Sequence, residues 1–369
     1  MPDIKRNSCI EKEKLMNREA LLSRCKLLKP LLTQSSSMCK LFELAPNKMS
    51  VFNTFQGAVI EYPLEVEGLI EGNLLVDMLS NYSSEEVFIN VKDDKLLIKS
   101  GNSMNKLSMD QTTKFNFPIP TENVVGRGEV HVLTDDFLFG LSKVLISVDP
   151  NGQLPMHRGV CFSGTHLFSS DGPQRASFYE LKEGEKLDEP VLLPKVFCDQ
   201  LLAFSKEFGG GDLIVCEGFV VAKYEGAFLY TSIDSKVKLF SFEESLNMIN
   251  LDGEFGNVTT QFSEMLKRHS ILLKGTNSNL SISFDDKKKE AEFISKSCRG
   301  ISNDPLSVHF DEQCKGMDLF IDVNTLLQAT KEIKEFKFTK PREDSKLILF
   351  VGREDSFIHA VFSYREELI

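Results

Sequence analysis

The chain has no run of about 18 apolar residues, so nothing in it reads as a membrane-spanning helix. The stretch from Met1 to Lys14 is polar and charged and lacks the apolar segment of a secretory signal. Eight cysteines (Cys9, Cys25, Cys39, Cys161, Cys198, Cys216, Cys298, Cys314) include no C-x-x-C pair. That argues against a zinc ribbon or a disulfide framework and for reduced, mostly buried thiols in the cytoplasm. Six histidines (His131, His157, His166, His269, His309, His359) show no H-x3-H pair or other metal-ligand spacing. His269 sits on an apolar helix face and is expected to be a hydrogen-bonded core residue.

Catalytic motifs are equally thin. Ser37-Met38-Cys39-Lys40 fits S-x-x-K, but no S-D-N or K-T-G accompanies it. Gly126-Arg127-Gly128 lacks the third glycine of a dinucleotide loop, and Lys274-Gly275-Thr276 runs in the wrong order for a P-loop. Gly209-Gly210-Gly211 reads as the turn that ends a helix. No enzyme, metal or cofactor is expected. Positive charge is also in short supply: 43 Lys and Arg face 54 Asp and Glu, a net charge of −11, which disfavours nucleic acid unless the charge is unevenly spread.

What is present is a repeat. The 369 residues, 41% of them hydrophobic, are enough for two or three packed domains. Six segments carry apolar residues at helical spacing, near 16–32, 72–82, 134–147, 194–207, 259–274 and 321–337. Their midpoints recur roughly every sixty residues, apart from a shorter first gap. After the second, fourth and sixth come meanders of short strands with Gly, Asp and Asn at the turns: Val87–Val91, Lys95–Ser100 and Met104–Met109; Leu213–Cys216, Phe219–Tyr224 and Phe228–Ser232; Phe336–Thr339, Lys346–Val351 and Phe357–Phe362. The pattern predicts an α+β fold of three similar domains, each itself doubled. Boundaries fall near Val125–Gly128 and Asp252–Gly256, giving domains at 1–125, 128–250 and 254–369.

At this point several short segments resemble one family. Leu27-Leu28-Lys29-Pro30-Leu31 resembles the first helix of the bacterial DNA polymerase III beta subunit, the beta sliding clamp. Leu96–Leu107 (LLIKSGNSMNKL) is similar to that family's IKSGxSxxxL strand pair. Pro155–Phe162 (PMHRGVCF) and Ser170-Asp171-Gly172 resemble its PVLxGVLF and TDGHRLA segments, and Pro194-Lys195 and Arg268–Leu272 (RHSIL) also fit. The resemblance runs the length of the chain and implies a clamp fold: two helices per domain on antiparallel sheets, closed by a homodimer into a ring around double-stranded DNA, sequence-blind, tethering a DNA polymerase and meeting a clamp loader through short peptides.

The six helical segments hold thirteen Lys and Arg against ten Asp and Glu, so the remainder carries the acidic excess. A mildly basic lumen inside an acidic shell is what encirclement requires. A plainer account also stands: Lys and Arg are good helix formers on solvated faces. On the resemblance, DNA contacts fall to Lys26, Lys29, Gln153, Lys195, Lys206, Arg268, Lys331 and Lys334. A partner-peptide cleft falls to Met156, Ser170, Gly172, Arg175, Val361, Phe362 and Tyr364, and a dimer interface to Leu107 and Met109 on one edge and Ile271 and Leu272 on the other.

The chain departs from the family in ways that bear on each site. Asn105 stands where the family has an interface aromatic. Arg175 replaces an apolar residue, Leu154 an Arg, and Pro173-Gln174 a His-Arg pair. The FPDY segment is missing from Ser232–Ser241, the tail runs on through Glu366–Ile369, and the loop that carries a DNA-contacting Arg shrinks to Thr33–Ser37. Such divergence suits a phage-encoded clamp. Two functions therefore stay open: a processivity clamp, or a clamp-fold protein-interaction scaffold, for example in transcription, that no longer encircles DNA.

Overall fold

The computed structural model describes residues 14–113, 126, 128–182, 186–239, 241–276, 278–285, 289–342 and 348–363. The chain divides into two compact units, Met1–Val130 with Asp199–Ser232, and His131–Cys198 with Ile233–Ile369. The order of elements is β1 (Lys14–Asn17), α1 (Arg18–Leu28), β2 (Leu41–Ala45), β3 (Lys48–Phe52), β4 (Gln56–Glu61), β5 (Gly68–Glu71), α2 (Gly72–Ser80), β6 (Glu86–Lys92), β7 (Lys95–Ser100) and β8 (Ser103–Ser108). There follow β9 (Glu129–Val132), α3 (Asp135–Val144), β10 (Gly159–Gly164), β11 (His166–Ser170), β12 (Arg175–Glu180), β13 (Leu187–Pro194), α4 (Lys195–Phe208), β14 (Asp212–Cys216), β15 (Phe219–Tyr224) and β16 (Ala227–Ser232). A short α5 (Phe242–Asn247) leads to β17 (Gly256–Asn257), α6 (Thr260–Leu273), β18 (Asn279–Phe284), β19 (Glu290–Ser297), β20 (Gly300–Ser307), β21 (Asp318–Asp322), α7 (Val323–Ala329), β22 (Glu335–Thr339), β23 (Leu349–Glu354) and β24 (Phe357–Phe362).

The first unit holds a four-stranded sheet, β1-β6-β7-β8, and an eight-stranded sheet, β5-β2-β3-β4-β16-β15-β14-β9, whose last strand runs out at the division between units. In the second lie the eight-stranded β13-β10-β11-β12-β24-β23-β22-β17 and the four-stranded β20-β19-β18-β21. Every described pairing between these strands is antiparallel. Strand order repeats with a step of eight: β1-β6-β7-β8 becomes β9-β14-β15-β16 and then β17-β22-β23-β24, while β5-β2-β3-β4 becomes β13-β10-β11-β12 and then β21-β18-β19-β20.

Local chemistry explains where the helices begin. Asn17, Thr134, Thr259 and Asp322 each accept a hydrogen bond from a backbone N–H three residues on, which satisfies one open donor of α1, α3, α6 and α7. Each helix buries one stripe: Leu21, Leu22, Cys25 and Leu28 of α1 pack with Leu75, Val76 and Leu79 of α2. In the second unit Phe262, Met265, Leu266 and Leu273 of α6 face Val323, Leu326 and Ala329 of α7. Burial of each such aliphatic side chain stabilises the fold by about 1.5–3 kcal/mol.

Two expectations need correction. The sixth helical segment does not reach 337; α7 stops at Ala329 and Glu335–Thr339 is strand β22, where Lys337 is fully buried. Strand β23 runs to Glu354 rather than Val351, because the turn tightens onto Asp355 (φ 51°) and Ser356. Helix α5 carries too few turns to show a period and went unseen in the sequence. The boundary near Val125–Gly128 lies partly outside the described residues.

Candidate functional site

The basic candidates separate by whether they already hold a partner. In the first unit Lys26 of α1 and Lys206 of α4 are exposed. Between those helices Arg24 donates to Glu207 at 2.6 Å and lies 4.6 Å from the Phe208 ring centre. Lys29 follows α1 in a 3-10 turn, with its Nζ 3.6 Å from Asp77 Oδ1. In the second unit Lys331 and Gln153 are exposed and Lys195 is half-buried at the start of α4. Lys334 pairs with Glu354 at 2.9 Å, and Glu354 also receives Lys143 at 3.1 Å. The Glu354 carboxyl is held below its ordinary pKa by Lys334, and Lys334 is raised in return. Arg268 donates to Asp304 Oδ1 at 2.7 Å. Lys29, Arg268 and Lys334 thus carry charge that a neighbouring carboxylate already balances.

Behind Arg268 is a buried polar group. His269, with no exposed side-chain surface, bonds Ser295 Oγ through Nδ1 at 2.7 Å and lies 3.1 Å from Asp304 Oδ2 through Nε2. Burial pushes its pKa below the ordinary imidazole value, against the pull of Asp304. Burial works against the charged form of Asp304 as well, yet hydrogen bonds from Arg268 and Ser302 outweigh it and hold the carboxyl low. The core role expected for His269 is the one it has.

Asp304 belongs to β20, an open sheet edge; β8 is another. On β8, Leu107 is 7% exposed, and Met109 just beyond it 5% exposed, so both side chains belong to the chain's own core. Leu107 sits opposite the fully buried Leu96 of β7, which explains why it turns inward. What the edge offers outward is Met104, 53% exposed, with opposite parity to Leu107 along the strand. Asn105 donates to the Tyr82 hydroxyl at 2.6 Å. Near the end of α6, Ile271 is 70% exposed and Leu272 half-buried, and on the edge strand β20 Ile301 is 71% exposed. Sequence reasoning did not single out the exposed Met104 and Ile301; period-two alternation along the two edge strands was the signal that could have marked them as outward-facing.

The cleft candidates surround the turn from β11 to β12. Asp171 Oδ1 accepts the backbone N–H groups of Gln174 (3.0 Å) and Arg175 (2.7 Å), while Oδ2 accepts Arg175 Nε at 2.7 Å. Ser170 Oγ accepts from Gly172 N and donates to the Arg175 carbonyl. Gly172 (φ 90°) takes a conformation that glycine favours, and the His157 ring packs on it. Arg175 Nη1 reaches Gln328 Oε1 of α7 at 3.3 Å. Met156 is half-buried beside His157, whose Nδ1 bonds the Ser170 carbonyl. Val361 pairs with Arg175 across β12 and β24, whereas Phe362, one residue on, packs on the opposite face with Phe168, Ala360 and the α5 segment. Arg175 and Phe362 can meet only around the strand end. Tyr364 lies outside the described residues.

No protein-family model matches the sequence, and no curated protein does. Solved structures do. The chain is similar to the DNA polymerase III beta subunit of Thermotoga maritima (TM-score 0.75, 14% identity, 95% of this chain and 98% of that one covered). It is also similar to the Pseudomonas aeruginosa sliding clamp (TM-score 0.73, 16% identity, 95% and 98% covered) and to the Caulobacter crescentus sliding clamp (TM-score 0.72, 14% identity, 95% and 99% covered). The fold is that of the bacterial sliding clamps. In this clamp fold the glycine run ends α4, with Gly209 at φ 82°, and Ser37 leads into a 3-10 turn. Among the described residues no group of three or more His, Cys, Asp or Glu could hold a metal ion, and no helix is long and apolar enough to cross a membrane.

Proposed function

We propose that the chain is a DNA polymerase processivity factor, a sliding clamp whose two copies close head to tail into a ring around duplex DNA. Its three domains, 1–125, 128–250 and 254–369, would be copies of one unit, a reading supported by the step of eight in strand order. The observation that carries the proposal is a second step. The two eight-stranded sheets are joined at β4–β16 and β12–β24, strands twelve apart in each case. Counted cyclically through twenty-four strands, the next such pair is β20–β8, and both of those strands are open edges. A second copy supplies the missing partner at each, a heterologous contact that closes on itself.

The existing joints give the register. The first residue of β16, Ala227, lies opposite Ile60, the last but one of β4; Phe357 of β24 likewise lies opposite Tyr179 of β12. Carried over, Ser103 lies opposite Leu306 of the partner subunit, Asn105 opposite Asp304 of the partner subunit, and Lys106 opposite Asn303 of the partner subunit. Parity agrees, because the inward side chains of both edges, Leu107 and Asp304 among them, then share a face.

A ring holds DNA by topology, so sequence-blind phosphate contacts suffice and sliding breaks no base-specific bond. A polymerase on the same ring gains a high effective concentration at the primer end. The test is a Lys106→Cys, Asn303→Cys variant. Opposed Cα atoms in an antiparallel pair lie about 4.5–5.5 Å apart, within disulfide reach, so mild oxidation should give a covalent dimer at low micromolar concentration. Either single variant should stay monomeric on a denaturing gel. A double variant that remains monomeric counts against the closure.

One observation favours the scaffold reading instead. Lys29, Arg268 and Lys334 are each balanced by a carboxylate, leaving a sparse basic track. On that reading the dimer would form without retaining DNA.

A further inference from the structure

We infer that the cleft of this clamp selects partner peptides carrying a carboxylate, and that Arg175 is the residue that reads it. The inference rests on the cleft reading above. Arg175 is 21% exposed, and its guanidinium is fixed from two sides, Nε by Asp171 and Nη1 by Gln328, which leaves Nη2 without a partner among the described residues. The carboxylate of Asp171 is saturated by backbone donors as well as by Arg175, so the turn that carries the guanidinium is rigid before any ligand arrives. A pre-set planar donor is suited to a carboxylate, because little side-chain freedom is lost on binding.

Two further basic residues lie on the segments that hold this turn, in a chain of net charge −11. Lys331, exposed and without a side-chain partner among the described residues, follows Gln328 by one turn and donates its backbone N–H to the Gln328 carbonyl. Arg158 follows His157 in the chain, with its Nε on the Gly152 carbonyl at 2.7 Å. Arg175, the one cation shown against Asp171, stands where the resemblance implies an apolar side chain, and its Nη2 faces no described partner. Apolar surface remains alongside: Leu154 is 53% exposed and Met156 half-buried. The ligand that fits is a short peptide with an aliphatic or aromatic anchor and an acidic group next to it, matched in charge to the site.

The test uses the full chain and fluorescent peptides that share one aliphatic–aromatic pair and differ at a single neighbouring position, Gln, Glu or Lys, each made with a free and an amidated C-terminus. The Glu peptide should bind about tenfold more tightly than the Gln peptide, as one charge-assisted hydrogen bond predicts, and the Lys peptide most weakly. A gain seen only with free termini would assign the carboxylate to the peptide end; a gain in both forms assigns it to the side chain. Arg175→Leu should bring Glu and Gln peptides within about threefold of each other. Because that variant strands Asp171, Lys331→Gln serves as a second probe, on an exposed residue without a side-chain partner among the described residues, and should narrow the ratio in the same direction. Equal affinities in the parent protein, or a ratio that survives both variants, overturn the inference while leaving the cleft in place. Displacement of the Glu peptide by duplex DNA also overturns it, since the cations would then serve phosphate. Failure of every peptide to bind would remove the cleft reading and the inference with it.

Discussion

Lys26 and Lys206 differ from Arg268 and Lys334 in having, among the described residues, no carboxylate to leave before they meet a phosphate. A Lys26→Gln, Lys206→Gln double variant should therefore lower duplex affinity for every sequence and flatten the salt slope by about 1.8, since each neutralised phosphate contributes about 0.9. Arg268→Gln should change the slope less, because its charge is already spent on Asp304; titrations at a series of salt concentrations decide between them. Histidine titration makes a separate prediction. His359 is fully buried, bonded to Ser177 Oγ at 2.8 Å, and its pKa is pushed down to about 3 by burial and by Arg175. The folded state thus binds this proton less readily than the unfolded chain. Its stabilisation is present above the ordinary histidine value of about 6.5 and is lost as pH falls below it. Between pH 6.5 and 5 this site alone should remove about 2 kcal/mol, read as a shift in urea midpoint, and His359→Asn should make the profile shallower. His269, also depressed, should leave a residual slope.

At the scale of elements, β22 carries a charge in its core. Lys337, with no exposed surface, sits 3.4 Å from Asp311 Oδ1 and donates to the Asp252 carbonyl; Asp311 also receives Asn250 at 3.1 Å and the Thr339 hydroxyl. Asp311→Ala leaves that ammonium buried and unpaired and should cost about 3–5 kcal/mol in chemical denaturation, whereas Lys337→Met should be close to neutral. Nothing in the local sequence announced this. Lys337 looked like the last base of a helical face because Val323, Leu326, Leu327, Thr330 and Ile333 keep the period, and the strand that overrides it is set by pairing with β17 and β23. The first two meanders, by contrast, were legible almost to the residue, since hairpin turns at Gly101-Asn102 and Glu225-Gly226 need special backbone angles and announce themselves. Site residues were less legible. Leu107 and Ile271 look alike in sequence, yet one is core and the other 70% exposed. Leu107 faces inward from the edge strand β8, whereas Ile271 lies on the exposed face of α6. Salt bridges such as Arg268–Asp304 join residues 36 apart and have no local signature at all.

For the whole molecule, the step of eight in strand order and the step of twelve at the sheet joints are properties of the chain that no single residue carries. They describe a repeated core in which β8 and β20 are left open at the step of twelve, and they give the proposed ring its closure. Alanine at Ile271 together with Ile301 should weaken the dimer, read as a rise in the monomer fraction by sedimentation, because each exposed aliphatic loses about 1.5–3 kcal/mol of burial if it is covered there. The DNA claim is tested most directly by the Lys106→Cys, Asn303→Cys clamp, loaded onto a nicked circular plasmid and then oxidised. The account predicts a population that stays with the circle through high salt and leaves when the plasmid is cut to a linear form. Equal loss from circular and linear DNA at high salt would contradict encirclement and leave the scaffold.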